Sequence, residues 1–201
     1  CIIAVCLANV VLGLFVYLNN PQKTNTRYFA LLCFGLSAWA AFNYLADYQL
    51  SNTLLWTRLT FFAVSFAIVF LNLFLNSFPQ KIIKNRIFPV VAITLASAVA
   101  IISLLPGFIP GVEIKDGVSN VLVGPLYYVF LGYMLIFFIG LIYFIVHSWR
   151  HSNRENKSRL KFLIFGIVAM AVLASLTNFV LPLILGSNNY AKYGTLFTLI
   201  F

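Results

Sequence analysis

The chain has 201 residues, of which 62% are hydrophobic and only 8% are charged. A soluble domain carries about 25% charged residues, so this composition excludes an ordinary water-soluble globule, and lipid is the solvent that fits. The formal net charge of +9 comes from basic residues clustered between apolar runs, which indicates orientation in a membrane and argues against nucleic acid as a partner.

The apolar runs have the length of membrane-spanning helices, which need about 20 mostly apolar residues. Strands of a membrane β-barrel would alternate apolar and polar residues over about ten positions, and these runs do not alternate. The sequence therefore predicts an all-α membrane protein, a single domain over 1–201 built as a seven-helix bundle whose seventh helix is truncated. The predicted spans are about 1–18, 28–46, 59–78, 87–105, 125–149, 162–186 and 194–201 onward.

The connection between spans four and five differs from the others, because it contains Asp116-Gly117 between two alternating stretches. Asp-Gly in this setting is typical of a two-residue β-hairpin turn. We expect a small extracellular hairpin over one end of the bundle, with a disordered loop as the alternative.

The basic residues are distributed unequally between the two sides of the predicted bundle. The first, third and fifth connections hold ten of the 13 Lys and Arg residues with only Glu155 against them. Because cytoplasmic loops carry the excess of Lys and Arg, we expect the N-terminus and the hairpin outside, and the C-terminus in the cytoplasm.

A polar stripe lies on span two, where Trp39, Asn43 and Asp47 are spaced four residues apart and so share one helix face. Arg58, at the mouth of span three, is a candidate partner for Asp47. One interpretation is an outward-facing ligand pocket floored by Trp39 and Asn43. The other is hydrogen bonding between helices and anchoring at the interface, which are common roles of Asn and Trp.

Span six carries a second set of candidate residues. Gly166 allows close helix approach, and Asn178 is followed by Pro182, whose ring crowds the carbonyl of Asn178 and predicts a kink. Such a kink could relay a signal or be purely structural.

No catalytic motif is present: there is no GxSxG, no HExxH and no phosphate-binding glycine loop. His147 and His151 have a spacing that a metal could use, but Trp149 and Arg150 beside them favour interfacial positioning. We expect no metal, no cofactor and no enzymatic activity in this region.

Several segments, in this order, resemble the N-terminal seven-transmembrane sensor region of bacterial histidine kinases, and the resemblance covers essentially the whole chain. They are Trp39, Trp56-Thr57-Arg58-Leu59, Phe78-Pro79, Gly124-Pro125-Leu126-Tyr127, the run from Arg159 to Gly166, and the run from Thr177 to Pro182.

The resemblance implies a sensory input domain in the bacterial cell membrane. It would pass an extracellular or membrane signal to a cytoplasmic kinase effector in the same chain. The family's dimerisation helix allows a homodimer, the lipid bilayer is the other partner, and the ligand is unknown. The alternative is a small-solute transporter or channel, although the absence of an acidic residue in the middle of any span disfavours ion coupling.

Overall fold

A computed structural model describes residues 2–48, 52–78, 82–83, 85–115 and 118–175. Within them the chain forms six helices and one pair of strands. The elements are α1 (Ile2–Asn19), α2 (Thr24–Tyr48), α3 (Thr53–Ser77), α4 (Ile87–Leu104), β1 (Gly111–Lys115), β2 (Val118–Leu122), α5 (Tyr127–His151) and α6 (Arg154–Ser175).

Five helices of the described part, α1 to α5, are long and apolar enough to cross a membrane. Their outer faces are apolar as well: Phe15 on α1, Val90 on α4 and Ile136 on α5 all have at least 60% of their surface exposed. Exposed large apolar side chains on several neighbouring helices are unfavourable in water and suit a hydrocarbon environment. The protein is therefore a multi-pass membrane protein.

Three helices extend beyond the spans predicted from hydropathy. α2 begins at Thr24 and α3 at Thr53, before the predicted starts at 28 and 59, and α6 begins at Arg154 instead of near 162. Backbone hydrogen bonding does not require apolar side chains, so a helix continues through the polar interface that a hydropathy criterion excludes. At α6, the Oδ1 atom of Asn153 accepts the N–H of Asn156 at 3.0 Å, which caps the helix and sets its start.

The second half of predicted span six and all of predicted span seven lie outside the described residues. Asn178 and Pro182 are in that part of the chain. The count of seven spans therefore stays a prediction from the sequence.

The predicted hairpin strands are present between α4 and α5. β1 and β2 pair antiparallel, with Gly111 opposite Leu122 and Lys115 opposite Val118. The side of the membrane on which they lie stays a prediction.

α3 is the central helix of the described bundle. In its most apolar stretch 67% of the residues are buried, against 17 to 39% in the other four candidate spans. It packs against α2, α4 and α5. A structural change at one end of α3 can therefore reach three other helices.

A candidate site at the capped end of the bundle

Arg58, in the second turn of α3, binds the backbone at the end of α4 and in the segment that follows it. Its Nη2 and Nε atoms donate to the carbonyl oxygen of Ile109 at 2.5 and 3.2 Å, and Nη1 donates to the carbonyl of Leu104 at 3.3 Å. Ser103, on α4, also bonds to α3, since its Oγ donates to the carbonyl of Arg58 at 3.4 Å as well as to that of Ala100 within α4 at 2.7 Å. The start of α3 is thus tied to the end of α4.

The carbonyl of Leu104 is a good acceptor for a cation because Leu104 is the last residue of α4. Carbonyls in the last helical turn have no intrahelical donor, and they form the negative end of the helix dipole. A guanidinium presents several donors in a planar fork, so one Arg58 side chain satisfies two carbonyls of this segment.

Residues 105–110, which we call the cap loop, insert their central apolar pair into the bundle, whereas Leu105, Pro106 and Pro110 stay exposed. Phe108 and Ile109 are completely buried. The N–H of Gly124 donates to the carbonyl of Phe108 at 2.8 Å, and the N–H of Leu126 donates to that of Gly107 at 3.1 Å. The cap loop is therefore held on one side by Arg58 and on the other by the segment that leads into α5.

Three aromatic rings surround Phe108 and connect the cap loop to α3 and α5. The ring centroid of Phe108 lies 5.3 Å from that of Phe61, 5.5 Å from Tyr127 and 5.8 Å from Phe130. Edge-to-face and tilted pairs at these distances are favourable aromatic geometries. The stack continues along α5 through Tyr133, so the cap loop is in continuous contact with the interior.

Below the aromatic cluster, α3 and α5 meet along a line of polar contacts that we call the α3–α5 seam. It joins Ser65 to Tyr133, Asn72 to Gly140, and Phe78 to Ser148. The Tyr133 hydroxyl donates to the carbonyl of Ser65, and the Ser148 Oγ donates to the carbonyl of Phe78 at 3.4 Å. Along the seam, the residue numbers of α3 and of α5 increase in the same direction, so the two helices run parallel.

The middle of the seam holds a buried acceptor. The Nδ2 atom of Asn72 donates to the carbonyl of Ile68 at 2.8 Å, while its Oδ1 has no hydrogen-bond donor among the described residues. A Cβ placed on Gly140 would lie 2.9 Å from this oxygen, so the side-chain oxygen faces the α5 backbone. A side chain at position 140 would crowd this oxygen, so glycine permits the close approach of the two helices here.

Trp39 and Asn43, the predicted floor of a pocket, are both half-buried on α2. Trp39 packs against the main hydrophobic core. Gly35 meets Ala67, and Phe42 stacks on Trp56, so antiparallel α2 and α3 bring Trp39 and Asn43 level with the first turns of α3.

The structure gives Arg58 backbone partners, whereas its pairing with Asp47 stays a prediction because the side chain of Asp47 is not described. Gly166 is buried on α6. Asn178 and Pro182 lie outside the described residues, so their predicted role is not tested.

Sequence reasoning missed the buried cap loop. Its signal is the order Pro106-Gly107-Phe108-Ile109-Pro110-Gly111, in which two turn-forming Pro-Gly pairs bracket two large apolar residues. Turn residues on both sides allow the chain to reverse and insert the apolar pair.

The two histidines stack on each other at the end of α5. Their ring centroids lie 4.2 Å apart, and the Nδ1 atom of His151 contacts the carbonyl of His147 at 2.9 Å. Among the described residues, no group of three or more His, Cys, Asp and Glu side chains forms a potential metal site.

These features define the class of protein: it is a multi-pass helical membrane domain with a buried cap at one end. Over residues 1–201 the chain matches the family model of the N-terminal 7TM region of histidine kinase, and it belongs to that family. The resemblance read from the sequence is therefore confirmed. The region is a membrane sensor region, and catalysis in such kinases occurs in other domains. No curated protein and no solved structure matches the chain.

Proposed function

We infer that this region is the sensory input domain of a histidine kinase, and that it passes an extracellular or membrane signal from its capped end to a cytoplasmic effector. The observation that carries the proposal is the position of Arg58. This residue links the central helix α3 to the end of α4 and to the buried cap loop.

A signal can act at this end only if it interacts differently with two arrangements of the helices. The bonds of Arg58 supply such a difference, because a ligand or membrane change that competes for the guanidinium would release the carbonyls of Leu104 and Ile109. The Phe108 ring touches rings of both α3 and α5, so movement of the cap loop would alter the packing of both helices along the α3–α5 seam.

The ligand-binding residues of the proposal are Trp39, Asn43, Asp47, Arg58 and Asn178. Gly166 and Pro182 would relay the change through span six. Trp39 and Asn43 suit an amphipathic or neutral ligand, since one offers an apolar ring with a single donor and the other a side-chain amide. No contact among the described residues favours the alternative of a transporter or channel.

The direction of the signal follows from the threading that the basic residues support. With the N-terminus and hairpin outside the bacterial cell membrane, Arg58 is at the outer end and the connection 150–161 is in the cytoplasm. The kinase effector would then receive the change in helix packing on the cytoplasmic side, in a protein that acts as a homodimer.

Replacement of Arg58 in the full-length protein tests the proposal. We expect Arg58→Ala to change basal autophosphorylation in native membranes by about fivefold or more, the lower range of typical coupling between sites. Arg58→Lys, which keeps the charge but loses the fork, is expected to give a smaller change.

Arg27→Ala is the matched control, since Arg27 also donates to a backbone carbonyl, that of Pro21 at 2.8 Å, but in the α1–α2 connection. Trp39→Ala and Asn43→Ala complete the set. The proposal is wrong if kinase activity is unchanged in every variant that is inserted and folded, or if Arg27→Ala changes it equally.

A further inference from the structure

An amphipathic groove lies between α5 and α6, at the end of the bundle opposite the cap loop. Its volume is about 520 Å³, and eight side chains line it. Two are the cations Arg150 and Lys161, one is Trp149, and the other five are Ile, Val or Phe residues. The lining holds two positive charges and no acidic residue.

The groove has a charged end and an apolar end. Arg150 is the lining residue of α5 nearest to the α5–α6 connection, and Lys161 is the nearest one of α6. From Lys161 the α6 side of the groove extends to Val168, which at 1.5 Å per residue is about 10 Å. The residues beyond the cations are apolar along this length, so an occupant needs an anionic head and a hydrocarbon tail.

The surroundings increase the positive potential at the charged end. Residues 150–161, which run from the end of α5 into α6, contain five basic residues and one acidic residue, Glu155. Trp149 has 36% of its surface exposed and lies near the end of α5, which is the depth at which membrane proteins place Trp beside lipid headgroups. Charge, apolar lining and interfacial depth thus coincide.

We propose that this groove is a binding site for an anionic phospholipid. The lipid phosphate interacts with Arg150 and Lys161, and the first part of an acyl chain lies against Ile164, Val168 and the facing residues of α5. Basic pockets between membrane helices bind anionic headgroups through the same combination of charge and lipid contact. A free phosphate would leave the apolar walls uncovered, so the lipid is the occupant that satisfies the whole groove.

The site is independent of the proposed input at Arg58. It joins α5 to α6, two helices that have little direct contact with each other, so a bound lipid would fix their relative position. Lipid binding at the groove can therefore be tested without a measurement of signalling.

The test measures lipid selectivity at Trp149 in the full-length protein, in a background in which every other Trp, including Trp39 and Trp56, is replaced by Phe. The protein is reconstituted in nanodiscs of phosphatidylcholine that contain either brominated phosphatidylglycerol or brominated phosphatidylcholine at the same fraction. Bromine quenches nearby indoles, so we expect stronger quenching by the anionic lipid. Each basic residue near the surface contributes about 1 kcal/mol, so the loss of two in Arg150→Gln/Lys161→Gln should reduce this preference about thirtyfold.

Lys23→Gln/Arg27→Gln is the control, because it removes the same charge from another basic connection that lies on the same predicted side. Equal quenching by the two lipids would contradict the proposed lipid site. An equal loss of the preference for anionic lipid in the control variant would contradict it as well. Mass spectrometry of the purified chain with its native Trp residues gives a second measurement, in which phosphatidylglycerol should remain bound and inorganic phosphate should not displace it. Displacement by inorganic phosphate, or no retained lipid, would contradict the proposal.

Discussion

Gly124 occupies a position at which the backbone leaves no room for a side chain. A Cβ atom there would overlap the carbonyl oxygen of Gly107, across the contact that closes the cap loop against the start of α5. The N–H of Gly124 is also a donor to Phe108 in that contact. Glycine is therefore required here by the close approach of two backbone segments.

Gly124→Ala should destabilise the domain, because the added methyl group forces the cap loop and the segment before α5 apart. Overpacking of a well-packed site costs about 1 to 3 kcal/mol. Thermal unfolding of the purified protein in nanodiscs measures the change. Gly132→Ala is the control, since a Cβ on Gly132 meets nothing within 4 Å; a similar melting temperature for both variants would contradict this account of the cap loop.

The helix pair α3 and α5 is stabilised by polar contacts as well as by apolar packing. Lipid tails are as apolar as the side chains of Leu or Phe, so apolar burial alone gives little preference for one helix neighbour over another. The bond from Tyr133 to Ser65 favours this neighbour and this register, because a shift of either helix would separate the buried hydroxyl from its acceptor.

Tyr133→Phe should weaken the α3–α5 pair modestly. Hydrogen bonds between membrane helices contribute about 0.6 kcal/mol on average and up to about 1.7 kcal/mol, and the buried hydroxyl of Tyr133 suggests a value in that range. Reversible unfolding in mixed micelles gives the free energy. Tyr128→Phe is a matched control on the same helix because 69% of Tyr128 is exposed. A loss as large for Tyr128→Phe would show that the effect is unrelated to the seam.

At the scale of the whole molecule, we expect the charged connections to set the orientation in the membrane. The described helices contain few charged residues inside their spans. Insertion of the apolar helices therefore does not by itself distinguish an orientation with the N-terminus outside from one with the N-terminus inside. The excess of Lys and Arg on one side supplies the difference. The same excess provides the basic surroundings of the groove between α5 and α6.

Cysteine labelling of intact cells tests the threading. Ser119→Cys in the hairpin and Ser158→Cys in α6 are each introduced after replacement of the native Cys1, Cys6 and Cys33 by Ala. We expect a membrane-impermeant maleimide to label position 119 in intact cells and position 158 only after the membrane is opened. The reverse pattern would place the basic connection outside and remove the basis for an inward relay.

Much of the architecture could be predicted from local properties of the chain. The membrane environment, the helices, the strand pair around Asp116-Gly117 and the family resemblance all depend on composition, periodicity or short segments. The helix starts at Thr24, Thr53 and Arg154 could not be predicted from hydropathy, because a helix continues into polar flanks where the apolar signal ends.

The sequence by itself determined that this chain lies in lipid, where helices form, and which basic residues favour one orientation, since each depends on neighbouring residues. Only the tertiary structure decided that α3 is central and parallel to α5, that Phe108 is buried, and that Arg58 binds carbonyls 46 and 51 residues away. Such contacts join distant parts of the chain. In a uniformly apolar solvent, hydropathy carries no information about which helix faces which, so close packing and a few polar bonds make that choice.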